Sequence, residues 1–254
     1  MASAGAAAGQ RRSAAHVLRP IVGVLLFLVL WEVVSLLGLL AAPPPSAVSL
    51  AMVHLLGERM FLADTVSTVL PWLVAIVLAT LIGVVVGLVL GSLPWLRTAS
   101  TMVVELVLPL PAVALIPLVI ALLGAGSQAK ITLAVFAAVW PVLCHTLHGL
   151  GELDPQFAEV ARSYRVAWWR TVLWVTIPAI LPCVLSGVRF AASVALMSLI
   201  STEFLTGGGL GQFIRQAGSL DLVLAATVFA GLLGLLANVL IGTARRRIAG
   251  TRHE

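Results

Sequence analysis

The stretch that decides how this chain is read is EVARSYRVAWWRTVLWVTIP, residues 159–178. It is the only substantial polar stretch of the second half and lies between two long apolar blocks. Upstream, Asp154-Pro155 reads as a helix start, with Asp as N-cap and Pro at the first helical position. Phe157, Val160, Ala161 and Tyr164 then recur at i, i+3, i+4 and i+7 and form one apolar stripe. Glu159, Arg162 and Ser163 fall elsewhere on that helix, and Glu159 and Arg162 are spaced to pair. A second short helix is expected from about residue 167 to 174, leading to Pro178 in the first turn of the next apolar block. Two short helices at an angle, outside the bilayer, make a knob that a groove on a soluble partner can grip. The competing reading is an interfacial helix anchored in lipid headgroups, which Trp168 and Trp169 suit.

Composition makes the bilayer the solvent. Of 254 residues, 61% are hydrophobic and only 10% charged, whereas a soluble domain carries about 25% charged residues. The mean hydropathy is +1.12. The net charge of +5 does not point to nucleic acid, because the basic residues sit at the ends of apolar segments. Cys144 and Cys183 fall inside apolar segments and offer neither a disulfide framework nor a metal-ligand spacing.

Crossing a core of ~30 Å takes roughly 20 apolar residues. Segments of that length are 21–40, 65–93, 98–123, 131–150, 178–205 and 222–244, the third broken by Pro109, Pro111 and Pro117. Isolated strands cannot cross lipid, since each unpaired backbone group there costs several kcal/mol. The expected fold is therefore all-α: a polytopic membrane protein of six transmembrane helices, with residues 151–177 looping between the fourth and fifth. Residues 1–20 are expected to be a disordered tail, 41–64 a proline-stiffened connector with a short surface helix, and 245–254 a basic tail. The first block is too long for a cleaved signal segment and carries Glu32. With the 151–177 loop placed in the cytoplasm, that side holds eleven arginines against three basic residues outside, which puts both termini in the cytoplasm.

The spacing of residues 159–178 resembles the EAA loop of ABC-importer permeases, E-A-A-x3-G-x9-I-x-L-P. Glu159, Ala161 and Pro178 fall in register, Val160, Val175 and Ile177 are apolar replacements, and Arg165 stands where the family carries glycine. The resemblance runs from about Pro43 to Ala244 and is to permeases of the nitrate/sulfonate/taurine group. It is carried by Pro43-Pro44-Pro45-Ser46, Pro109-Leu110-Pro111, Gly187-Val188-Arg189, and Glu203 followed by Gly207 to Gly211. The resemblance implies an inner-membrane subunit that pairs with a second copy or a close relative. It also implies two cytoplasmic ATPases under the coupling loops, and an extracytoplasmic solute-binding protein that delivers substrate. Phe157, Glu159, Val160, Ala161, Arg162, Tyr164, Arg165 and Pro178 would then form the ATPase-coupling surface.

No motor is expected in the chain itself. A P-loop needs G-x-x-x-x-G-K-[ST]. Around Lys130, the lone lysine, the second glycine is Ala129 and the hydroxyl position is Ile131. The chain is thus read as a transport subunit without catalytic residues, cofactor or metal, with ATP and Mg²⁺ held by a partner.

Ionisable residues inside the spans cost about 2.5–3.5 kcal/mol each at the bilayer centre and mark candidate path residues. At 1.5 Å per residue, Glu105 lies about 12 Å in from Arg97, Arg189 about 16 Å in from Pro178, and Glu32 about 18 Å in from Pro20. An Arg189–Glu105 pair is expected, either as a structural tie or as a station on the path. Glu203, near the outer mouth, either caps a flexible turn or borders a gate formed by Gly207, Gly208, Gly209 and Gly211. Pro109 and Pro111 are further path candidates. His145 and His148, spaced i, i+3, are expected to face headgroups or the loop. The rival functions are a stand-alone ion-coupled carrier using Glu105 and Arg189, and a membrane anchor that recruits a soluble enzyme. Neither accounts for the loop's spacing. The sequence leaves the substrate open, since Arg189 favours an oxyanion and the glutamates a cation.

Overall fold

Helices account for the architecture because the apolar runs must satisfy their own backbone groups in lipid. The computed structural model describes residues 22–92, 94–107, 111–154 and 163–250, with Arg19 and Gln156 besides; the side chains of Pro94, Thr101, Val103, Glu105 and residues 248–250 fall outside that description. Among the described residues there are helices and turns but no strand. They are α1 (Val22–Leu36), α2 (Pro45–Gly57), α3 (Arg59–Gly91) and α4 (Pro94–Val107). A 3₁₀ turn (Ala112–Leu115) leads into α5 (Ile116–Leu123). Then follow α6 (Ser127–Gly151), α7 (Trp168–Thr206), α8 (Gly209–Gln216) and α9 (Leu220–Gly250). Four of these, α3, α6, α7 and α9, are long and apolar enough to cross a membrane.

The helix boundaries differ from the apolar runs for identifiable reasons. The helix in the 21–40 block stops at Leu36, because Gly38 takes φ 70 and closes the end. Leu39 N–H donates to Val34 O at 3.2 Å and Gly38 N–H to Ser35 O at 3.0 Å, the paired bonds of a Schellman motif. α3 starts at Arg59, before the 65–93 run, and its first turn carries Phe61, which is fully buried. Phe61 meets Phe213 and Phe229 edge-on at 5.0 and 5.1 Å. The expected short helix at 167–174 is not separate: Trp168–Thr171 continues through a π-helical stretch, Val172–Thr176, into Ile177–Thr206. The wide turn sits directly before Pro178, whose missing N–H removes an i→i−4 bond at that point.

The centre of the bundle is α3, α6 and α7. Trp72, Ala75, Ala79, Ala134, Ala138, Ala191, Ala192 and Ala195 are buried together, and Trp72 Nε1–H donates to Ala192 O at 2.8 Å. Small residues let the backbones approach, which matters where lipid tails supply no hydrophobic drive between helices. Gly83, Gly87 and Gly91 form a G-x-x-x-G-x-x-x-G ridge on α3. A β-carbon at Gly83 would stand 2.8 Å from Val142 Cβ, and one at Gly87 2.6 Å from Thr146 Cγ2. A second cluster joins α2, the start of α3, α8 and α9 through Val48, Leu55, Phe61, Leu210, Ala225 and Ala226. Outside these contacts the helices present apolar side chains outward: Val85 and Val89 are 59% and 60% exposed. Such faces are at home in lipid or against another apolar surface.

Candidate functional site

The loop is described at its two ends. Asp154 Oδ1 accepts the N–H of Gln156 at 2.9 Å, the bond that an Asp cap makes at a helix start. Phe157, Glu159, Val160, Ala161 and Arg162 lie outside the described residues. Past them, Tyr164 is 80% exposed, and Arg165 turns the chain with φ 51. Arg165 is the one non-glycine with positive φ among the described residues, and it stands where the aligned motif has glycine. Trp168 and Trp174 are also exposed, and the Arg170 guanidinium lies 5.0 Å from the Trp169 ring centroid. Pro178 is half-buried in α7, just past the π-helical stretch.

At the other end of α7, Glu203 is fully buried. The Thr68 hydroxyl of α3 donates to Glu203 Oε2 at 2.8 Å, and Gly211 N–H donates to the same oxygen at 3.1 Å. Thr68 Oγ1 in turn accepts Leu210 N–H at 2.9 Å. Glu203 Oε1 has no hydrogen-bond partner but lies 3.8 Å from Lys130 Nζ at the start of α6. A carboxylate and a hydroxyl thus cap the first turn of α8, satisfying donors that a helix start leaves open.

The glycine run is what lets this happen. Gly207, Gly208 and Gly209 take φ 92, 81 and 67, a left-handed sequence that side chains resist. A β-carbon on Gly209 would collide with the Glu203 carboxylate and Thr68, and one on Gly208 would stand 2.8 Å from Lys130 Nζ. Gly208 N–H is further held by the Gln212 side chain. Here the glycines form a tight seat for a buried carboxylate that caps α8.

Three comparisons bear on what such a chain is. Residues 79–250 match the family model described as "Binding-protein-dependent transport system inner membrane component". The chain belongs to this family. The matched residues include the loop, Arg189, Glu203 and the glycine run. Among curated proteins, it is similar to the bicarbonate transport system permease protein CmpB of Synechocystis, 26% identical over 89% of this chain and 86% of that one. It is also 27% identical to the taurine transport system permease protein TauC of Escherichia coli, over 87% and 85%. The putative aliphatic sulfonates permease SsuC of E. coli is 34% identical over 54% of this chain and 53% of that one. Among solved structures, the MetNI methionine ABC transporter in an inward-facing form aligns with TM-score 0.61 at 20% identity, covering 75% of this chain and 99% of that one. That likeness shows the fold. The chain is a permease of the ABC-importer class.

Within this permease the remaining candidates are scattered. Pro111 precedes the 3₁₀ turn at Ala112–Leu115, whereas Pro109 lies outside the described residues. Arg189 is exposed on α7 and lines a groove with Asn238, Gly242, Thr243, Arg245 and Arg246 of α9. The expected pairing of Arg189 involves the Glu105 side chain, which is outside the described residues. Among the described residues, the groove that holds Arg189 is lined by α9. Glu32 does not share a buried station with these residues. It accepts the Ser46 hydroxyl at 2.6 Å and the Ser46 N–H at 3.1 Å, capping the start of α2. His148 pairs with Glu152 at 3.2 Å, and His145 stacks on Phe190 at 5.6 Å between ring centroids.

Sequence reasoning passed over Thr68 and Lys130 as partners of Glu203. Lys130 was legible, because both it and Glu203 fall near the ends of their apolar segments. Thr68 was not, since a threonine near a span's end carries no signal until the facing helix is known. The α3 glycine ridge was also passed over, although its four-residue spacing is plain in the sequence.

Proposed function

We propose that this permease is the membrane subunit of an ATP-driven importer in which six spans per chain, paired as a dimer, enclose the substrate path. Two separate ATPase subunits grip the 151–177 loop, and an extracytoplasmic binding protein supplies the solute. The observation that carries the reading is Arg165, whose φ of 51 places a left-handed turn where the loop's spacing calls for glycine. The loop so formed presents Tyr164 outward, as a docking knob requires. The arginine asymmetry supports a cytoplasmic loop and cytoplasmic termini. Hydrolysis falls to the ATPase partner, and no catalytic residue or cofactor is assigned to this chain.

The solute is a small polar molecule bearing an oxyanion group. This rests on relatives named for bicarbonate, nitrate, taurine and sulfonates. The test is uptake into proteoliposomes holding the permease with the ATPase and binding protein encoded beside it. Uptake that needs ATP, survives collapse of ion gradients, and is lost in Ala161→Glu at normal membrane levels agrees with the proposal. Uptake driven by an ion gradient without ATPase would establish the stand-alone carrier instead.

A further inference from the structure

Between α7 and α9 runs a cleft with two chemically different halves. One half, about 400 Å³, is lined mainly by apolar residues and glycines such as Leu196, Met197, Gly234 and Leu235, with Ser193, Ser201 and Thr227 among them. The other, about 560 Å³, is lined by Arg189, Gly242, Thr243, Arg245 and Arg246. Leu235 and Asn238 border both halves, so the two lie end to end along the same pair of helices. Arg189 reaches α9 at Gly242: its Nη1 lies 3.9 Å from where a β-carbon there would stand. Among the described residues, Arg189, Arg245 and Arg246 make no ion pair, and the described lining of this half holds three guanidinium groups and no carboxylate.

The groove also opens sideways. Met197, Leu235 and Val239 along it are 70%, 57% and 53% exposed on the single chain, an apolar rim that suits lipid. From Gly231 to Arg245 the helix rises about 21 Å, roughly the reach of one leaflet. Arg245 and Arg246 directly follow the apolar part of α9, and Arg189, from α7, borders the same end of the groove. An apolar trough ending in clustered arginines fits an amphiphile with an anionic head, and basic pockets between membrane helices hold such heads. A free inorganic anion would use the basic half and leave the apolar half without purpose.

We propose that the α7/α9 groove binds an anionic phospholipid, its phosphate held by Arg189, Arg245 and Arg246 and an acyl chain lying along Gly231, Gly234 and Leu235. This inference rests on the groove alone and stands or falls independently of the ATP-driven import reading.

The test uses the full-length permease in neutral detergent, titrated with phosphatidylglycerol or phosphatidylcholine and followed by native mass spectrometry and thermal unfolding. Phosphatidylglycerol is expected to be retained and to raise the melting temperature, and phosphatidylcholine to do neither. The combined variant R189Q/R245Q/R246Q should lower phosphatidylglycerol affinity about a hundredfold, since each arginine near the surface adds about a fivefold factor. Should that variant fail to fold, Leu235→Trp keeps every charge but fills the trough, and retention should fall there too. Equal retention of both lipids, or undiminished phosphatidylglycerol binding in the variants, would overturn the proposal. So would displacement of the lipid by soluble nitrate, sulfate or phosphate, which assigns the groove to a free anion. Efficient disulfide cross-linking between copies carrying Met197→Cys would assign the face to a second copy, and likewise overturn it.

Discussion

The Thr68 hydroxyl donates to Glu203 at 2.8 Å while accepting Leu210 N–H at 2.9 Å, so one side chain joins α3, α7 and the start of α8. Both residues are fully buried. In such surroundings, a polar group that loses its partner costs about 1–3 kcal/mol.

Thr68→Val removes the donor to Glu203 and the acceptor for Leu210 at once, while keeping the side chain's shape. It should destabilise the purified permease by roughly 2 kcal/mol, and Thr68→Ser should restore most of that. Thermal unfolding in detergent reads both. An unchanged melting temperature in Thr68→Val would mean that water or a neighbouring group replaces the lost bonds.

The glycine seat makes a sharper comparison. A β-carbon at Gly211 would press on Ile200 O and stand 2.5 Å from Phe204 N, both backbone atoms that cannot swing aside. Gly218, a few residues on, has nothing within 4 Å. Gly211→Ala is therefore expected to lower membrane abundance severely, and Gly218→Ala to leave it unchanged, as judged by fluorescence of tagged protein in membranes. Equal abundance for the two variants would show that α8 can shift away from α7.

What the sequence disclosed and what it hid follow from how local each feature is. The apolar blocks, the prolines around the 3₁₀ turn and the Asp154 cap depend on neighbours in sequence, and all were readable. So, in principle, was the stop at Gly38, a left-handed glycine ending an apolar helix. The seat around Glu203 depends on residues 135 positions away, and no periodicity announces that Thr68 faces it. The partnership of Arg189 with α9 was hidden for the same reason: depth along a helix says how deep a side chain lies, not towards which neighbour it points. The continuity of α7 through Pro178 was hidden because proline ordinarily opens a helix, and only the π-helical turn before it permits the join.

The α3 ridge supplies a third prediction. Gly87 faces Thr146, whose hydroxyl is itself bonded to Val142 O at 2.8 Å and so is not free to rotate away. Gly87→Val should push α3 from α6 and cost about 1–3 kcal/mol, as overpacking of a tight contact does. Thr146→Gly in the same chain should recover part of the loss. Gly231→Ala, with open space where its β-carbon would stand, is the control expected not to lower the melting temperature. Detergent melting of the four proteins decides it, and no recovery in the double variant would mean that the ridge packs elsewhere.

Arg165 gives the last. Its φ of 51 puts an L-residue in the left-handed region, at a cost of roughly 1–2 kcal/mol that glycine escapes. Arg165→Gly removes that strain but gives the unfolded chain more freedom, so the two effects nearly offset and stability should change little. ATP-driven uptake should fall only modestly, because the turn that shapes the loop is preserved. Arg165→Val is different in kind: a β-branched residue resists positive φ, and the loop should lose its shape and its docking with it. Uptake and ATPase co-purification, measured for both variants at matched membrane levels, separate shape from contact. If glycine abolishes transport as fully as valine does, the guanidinium itself grips the partner and the backbone turn is secondary. If glycine is tolerated and valine is not, the left-handed turn at this position is what the coupling loop requires.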